Sequence, residues 1–234
     1  MWRRVKTGFD ILSTVLVCVA AVAVLWQVTR PARRPSGRPS VEKVSNLSIP
    51  STHVSNVRGT GKIALVEFAD FECPFCIRHA KETGPSIKAD LLDSGQIRHV
   101  FFSFPLSRHP HAQKASEAAE CAAKQGLFWE MHERLFENQE LDAADLVKHA
   151  DSAGLDHASF TECLDSDEMA NKVRRDHTEG RRLGVNSTPA FFVGTFREDG
   201  TIDLVTRING AVSYEEFKDA VRELQPIRRA LLTP

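Results

Sequence analysis

The run Glu67-Phe68-Ala69-Asp70-Phe71-Glu72-Cys73-Pro74-Phe75-Cys76 carries an apolar strand straight into a Cys-x-x-Cys turn. Two thiols at that spacing can close a small ring, so they can cycle between dithiol and disulfide. After Cys76 the apolar residues recur at helical spacing (Ile77, Ala80, Ile87, Leu91), which sets Cys73 at a helix N-terminus. Unpaired backbone N–H groups and the helix dipole favour an anion there, and the thiolate is the reactive form of cysteine. Cys73 is therefore expected to be the exposed, attacking thiol, and Cys76, one turn in, the buried resolving one. Pro74 leaves no N–H unpaired in the first turn, and Phe75 offers the thiolate neither charge nor donor.

Around this turn the pattern alternates between elements. Ile63 to Phe71 is apolar on both faces apart from Glu67 and Asp70, as a central strand is. The following helix is expected to kink or break at Gly84-Pro85. Gln96 to Phe104 is a second strand, closed by Pro105. A helical block follows over 112–125, 127–138, 143–153, 157–164 and 168–183. Two strands, 190–193 and 202–208, turn about Asp199-Gly200, and a helix over 214–224 closes the fold. That order reads as an α/β, thioredoxin-like fold with a helical domain inserted at about 107–184.

Upstream, Ile11 to Val28 is uncharged and rich in Val, Ala and Leu, and Trp2 and Trp26 flank it as interface aromatics do. Residues 1–29 are read as a transmembrane anchor. Ala21-Val22-Ala23 offers a signal-peptide cleavage pattern, but apolar sequence continues past it to Val28, which favours an uncleaved helix. Proline, glycine and polar residues over 30–52 read as a linker, with the globular part from about 53 to 225 and a short tail over 226–234. The first 40 residues carry seven Lys/Arg and one acid, so the remainder is net acidic. The basic charge flanks the apolar segment, and nucleic acid is not an implied partner.

Four cysteines lie outside the anchor. With Cys73 and Cys76 adjacent, Cys121 and Cys163 remain, both on apolar helix faces of the insert. They are either buried free thiols or a structural disulfide closing a 42-residue separation, and the latter would imply an oxidising compartment. Zinc is disfavoured because there is no second Cys-x-x-Cys, and haem attachment is excluded because Ile77 rather than His follows Cys76. No metal and no cofactor are called for. Glu67, six residues before Cys73 in an apolar strand, is read as a buried carboxylate able to take a proton from Cys76, with a solvent-facing strand glutamate as the alternative. Thr188-Pro189 opens a strand, where a proline is tolerated. His79, His109 and His111 are read as surface or capping residues.

The quoted residues, together with Ala118-Ala119-Glu120-Cys121-Ala122, Gly126-Leu127-Phe128-Trp129-Glu130-Met131-His132, Leu135-Phe136-Glu137-Asn138-Gln139 and the run from Gly184 to Gly194, resemble the DsbA-like thiol:disulfide oxidoreductases of bacterial cell envelopes. The resemblance spans about 59–224. It implies Cys73 as nucleophile, Cys76 as resolving thiol, Glu67 as buried acid and Pro189 as a cis-proline beside the thiols, with Pro74, Phe75 and Thr188 meeting an extended substrate. A second disulfide in the insert, which some members carry, would match Cys121 and Cys163. The strongest oxidants of the family have Pro-His between the cysteines, and Phe75 stands in place of that His. The implied activity is donation of the Cys73–Cys76 disulfide to reduced, unfolded exported proteins, with reoxidation by a membrane redox partner and the catalytic domain in the periplasm or extracellular space. The competing readings are an envelope reductase or isomerase on the same chemistry, and a non-catalytic binding or chaperone module with this fold.

Overall fold

The computed structural model describes residues 39–166 and 168–225. The expected anchor over 1–29 and the tail over 226–234 lie outside them. Among the described residues no helix is long and apolar enough to cross a membrane.

Six strands form one sheet: β1 (Ser40–Ile49), β2 (Val57–Gly59), β3 (Ile63–Ala69), β4 (Ile97–Ser103), β5 (Ala190–Phe196) and β6 (Ile202–Asn209). Their spatial order is β1-β6-β5-β3-β4-β2. Only β3 and β4 run parallel, and the helix after the Cys-x-x-Cys makes the crossover between them. β3 is buried along its whole length, as its apolar faces require. Its two-residue period sends Ala64, Val66 and Phe68 into one core with Val100, Phe102 and Phe192, and Ile63 and Leu65 into the opposite core with Phe191, Ile87 and Phe217. Glu67 belongs to the second set by parity.

The crossover comprises α1 (Pro74–Arg78) and α2 (Gly84–Ile87), joined and followed by π turns at His79–Thr83 and Lys88–Leu92. The expected break at Gly84-Pro85 is thus a widened turn. Pro85 has no N–H to donate and its ring crowds the carbonyl four residues back, and a π turn relieves both while the chain stays helical.

Five helices form the insert: α3 (Ala112–Lys124), α4 (Phe128–Glu137), α5 (Ala143–Ser152), α6 (His157–Asp165) and α7 (Glu168–Arg182). Asp142 and Asp156 cap α5 and α6 by accepting from the N–H groups of Asp145 and Ser159. Cys121 on α3 and Cys163 on α6 are joined by a disulfide, with Cα atoms 5.8 Å apart. α7 returns across the sheet, where a Cβ at Gly180 would lie 2.7 Å from the Phe104 ring, so only glycine permits this approach. α8 (Tyr214–Leu224) closes the second core behind a Ser213–Glu216 capping box.

The linker reading is corrected over its second half. Ser40–Ile49 is an edge strand paired antiparallel with β6, from Ser40 opposite Asn209 to Ile49 opposite Ile202. Its register slips between Lys43 and Leu47, where Asn46 takes φ 59°. The globular part therefore begins well before His53.

Candidate functional site

Cys73 is the N-cap of α1, with extended backbone, and Pro74 occupies the first turn. The loop before it is fastened by two acids. Asp70, fully buried, accepts from the N–H groups of Glu72 and Leu106 at 2.8 Å each and pairs with His109 Nδ1 at 2.8 Å. Glu72 accepts from the N–H of His111 at 2.7 Å. The turn is thereby tied to the first residues of the insert, and His109 is a fastening residue rather than a surface one.

The Thr188–Pro189 peptide is cis, and it brings the Thr188 carbonyl to 3.5 Å from Cys73 Sγ. The chain from 115 residues downstream thus covers Cys73, whose residue surface is 0% exposed. This corrects the expectation of an exposed thiol: what faces solvent is Pro74 and Phe75, the latter 52% exposed with the Arg78 guanidinium 5.2 Å from its ring centroid.

Cys73 and Cys76 are both thiols here, and their environments drive them apart. The Cys76 thiol acts first in holding Cys73 down, by hydrogen bonding to its sulfur. Burial opposes this, and the Thr188 hydroxyl and the N–H groups of Cys76 and Phe75 add to it, so Cys73 ionises at about 5. Burial raises Cys76 well above the ordinary thiol value, and hydrogen bonding to Cys73 and the Cys73 and Glu67 charges raise it further. At neutral pH the pair therefore holds one thiolate and one thiol. The Thr188 Oγ1 is buried without a hydrogen-bond partner among the described residues, so its proton is free to turn to the Cys73 thiolate. Thr188→Val is expected to raise the Cys73 titration, followed by thiolate absorbance near 240 nm, by about one to two units, since a hydrogen bond to a charged group contributes about 1.5–3 kcal/mol.

Glu67 is 3% exposed, which settles the choice against a solvent-facing strand glutamate. Its Oε2 lies 2.9 Å from His99 Nε2. Burial would raise this carboxyl, but the His99 hydrogen bond and the imidazoles of His79, His99 and His132 hold it well below the usual range. Burial lowers His99 despite its partner. The pair is thus a carboxylate accepting from a neutral imidazole.

Sequence reasoning gave His99 and His132 no role and set His79 on the surface. All three are buried. Signals existed: His79 follows Cys76 at i+3 with Thr83 at i+7, His99 shares the parity of Ile97 and Phe101, and His132 lies within the apolar stripe of Phe128, Met131, Leu135 and Phe136. Among the described residues no group of three or more His, Cys, Asp or Glu is placed to hold a metal ion.

A cysteine pair split in this way at a helix N-terminus, beside a cis X-Pro and a buried carboxylate, is an arrangement for thiol–disulfide exchange. Comparison with known proteins agrees. Residues 60–222, more than half of the chain, match the family model described as thioredoxin. The Na(+)/H(+) antiporter NhaA 3 of Salinispora tropica is 36% identical over 198 residues, which is 80% of this chain and 30% of the antiporter. The chain thus spans about 30% of the length of such curated relatives. Among solved structures, a thioredoxin-like oxidoreductase from Silicibacter pomeroyi DSS-3 is 26% identical with TM-score 0.59, covering 73% of this chain and 91% of that one. Wolbachia pipientis alpha-DsbA1 shares the fold at 22% identity and TM-score 0.61, over 72% of this chain and 89% of that one. The chain belongs to the thioredoxin family, and it shares its fold with the thioredoxin-like oxidoreductase and the DsbA structure.

Proposed function

We propose that this protein introduces disulfides into reduced exported proteins, with its catalytic domain in an oxidising compartment outside the cytoplasm. The observation that carries this reading is the split between Cys73, ionised from about pH 5 upward, and Cys76, held as a thiol. A stabilised Cys73 thiolate favours the reduced protein, and a pair that prefers to be reduced is an oxidant of its clients. The Cys121–Cys163 disulfide supports the oxidising compartment.

In each cycle a client thiolate attacks Cys73 Sγ and forms a mixed disulfide, and Cys76 leaves with the electron pair and takes a proton. A second client thiol then attacks the client sulfur of the mixed disulfide, and Cys73 leaves as the stabilised thiolate. The client gains a disulfide and the protein is left as dithiol. Reoxidation is assigned to a membrane redox partner. Glu67, whose charge acts on the Cys76 thiol, would be its acid–base group, and Pro74, Phe75, Thr188 and Pro189 would line the ground on which an extended client lies.

The test is the reduction potential of the Cys73–Cys76 pair against glutathione. A value nearer about -120 mV than about -270 mV is expected, and the reverse would make the protein a reductase. The pH dependence checks the origin of that value. Above about pH 5, where Cys73 is ionised in the reduced protein, reduction takes up one proton per two electrons. The potential should then fall by about 30 mV per pH unit, steepening to about 59 mV per unit below that pH. A single steep slope through neutral pH would contradict the thiolate assignment.

A further inference from the structure

A cavity of about 250 Å³ lies between the crossover helix and α4, and it begins at His79, one helical turn beyond Cys76. Glu67, His79, His99 and His132 line it, from four different elements, together with Arg58. Part of its polar lining is unsatisfied. His79 Nδ1, Arg58 Nε and both ring nitrogens of His132 are buried without a hydrogen-bond partner among the described residues. His132 is 6% exposed and is held by rings alone, with Phe101 at 4.8 Å, Phe136 at 5.0 Å and Trp129 at 5.1 Å between centroids. Buried polar groups are seldom left unpaired, and a cavity this size has room for roughly eight waters to meet them. A carboxylate in the wall argues against an anion, that carboxylate and the unpaired imidazole nitrogens argue against an apolar ligand although apolar side chains make up most of the wall, and the ligand groups are not placed for a metal. Water is the occupant that suits it.

Cys76 stands one helical turn before His79 and Ala80, both of which line this cavity, and the Glu67 charge acts on its thiol. At its other end the cavity is bordered by Lys81, Lys88 and Glu137, all exposed, so it opens to solvent. Resting on the thiol–disulfide exchange reading above, we propose that these waters and the imidazoles of His132, His99 and His79 form a proton relay joining Cys76, through Glu67, to solvent.

The chemistry requires such a route. When a thiolate attacks Cys73 Sγ, one S–S bond forms and the Cys73–Cys76 bond breaks, and Cys76 leaves with the electron pair and must gain one proton. In reverse, Cys76 loses that proton, attacks Cys73 Sγ and expels the thiolate. In the mixed disulfide the client lies over Cys73, so the proton must pass on the other side. A neutral imidazole accepts at one nitrogen while releasing from the other. Burial keeps His79 and His132 neutral, down to about 4 and about 3, so they pass a proton without retaining it.

A relay sets rates in both directions and leaves the equilibrium where it was, whereas a change of packing or of charge moves the equilibrium. His132→Leu in the full chain, which replaces the imidazole with an apolar side chain, is tested with glutathione by acid quench and mass spectrometry. Closure of the Cys73–glutathione mixed disulfide by Cys76, and its formation from the protein disulfide, should both slow about tenfold or more. Their ratio should hold within about twofold, and the Cys73 titration should stay near pH 5. Rates within about twofold of the parent overturn the relay, and so does a change in one rate alone with a shifted equilibrium. Should His132→Leu lose its native circular dichroism, His132→Gln is judged on the same criteria. If the unmodified protein does not exchange with glutathione, the oxidoreductase reading itself fails, a result distinct from an unaffected variant.

Discussion

Cys73→Ser is expected to reduce dithiol oxidation to the uncatalysed background, a loss of at least about 10³-fold, with the fold intact. The serine hydroxyl cannot form the mixed disulfide, and Cys76 cannot replace it. Cys76 lies inside the first turn of α1 and is held as a thiol far above neutral pH, so it does not present the anion that attack needs. Structure should survive because the turn is fixed by groups other than the thiol: Asp70 and Glu72 anchor it to the insert. Cys76→Ser gives the complementary result. It retains the attacking thiolate, which can attack a disulfide already present in a client, and with no second thiol to expel that client it should accumulate Cys73-linked mixed disulfides, visible as bands that a reductant removes. The measurement is oxidation of a dithiol peptide, alongside far-UV circular dichroism. Persistence of client-directed function in Cys73→Ser would instead identify a binding module with this fold.

The double replacement Cys121→Ala/Cys163→Ala is expected to lower stability by about 4 kcal/mol. The bridge spans a separation of 42 residues, and chain entropy alone gives that figure for such a loop. Both half-cystines sit in the same core as Met131, Leu135 and Phe160, so the truncations add a smaller packing loss. For a protein of this size the midpoint of thermal unfolding should fall by about 10 °C, and urea unfolding should show the same loss. Exchange at Cys73 should change little, since α3 and α6 do not contribute to the helix N-terminus that stabilises the thiolate. A variant as stable as the parent would mean that the helices α3 and α6 hold each other without the bridge.

Much of this was legible in the sequence for identifiable reasons. β3 is apolar on both faces and so declared itself central, and Glu67, the exception within it, declared itself buried. The helices of the insert carry strong apolar stripes, and their limits fell within a residue or two. β1 was not legible: an edge strand exposes most of its side chains, and the irregularity at Asn46 interrupts what alternation remains. The covering of Cys73 was hidden because the covering group, the Thr188 carbonyl, arrives from 115 residues away. The histidine cavity was hidden for a related reason. Each of His79, His99 and His132 can be seen to face inward on its own element, but their meeting depends on the β3–β4 register, which sets Leu65 opposite His99, and on how α4 packs over the sheet.

The position of β1 decides how the protein can be held. Ser40 pairs with Asn209, Asn209 pairs with Ala190, and Gly210 donates its N–H to the Pro189 carbonyl while a Cβ on it would lie 3.5 Å from Pro39. The polypeptide therefore joins the sheet on the rim where the thiols lie, two strand spacings or about 10 Å from the cis-proline. Anything that tethers the chain at Pro39 would therefore fix the rim that carries the thiols and leave the opposite end of the sheet farther from the point of attachment.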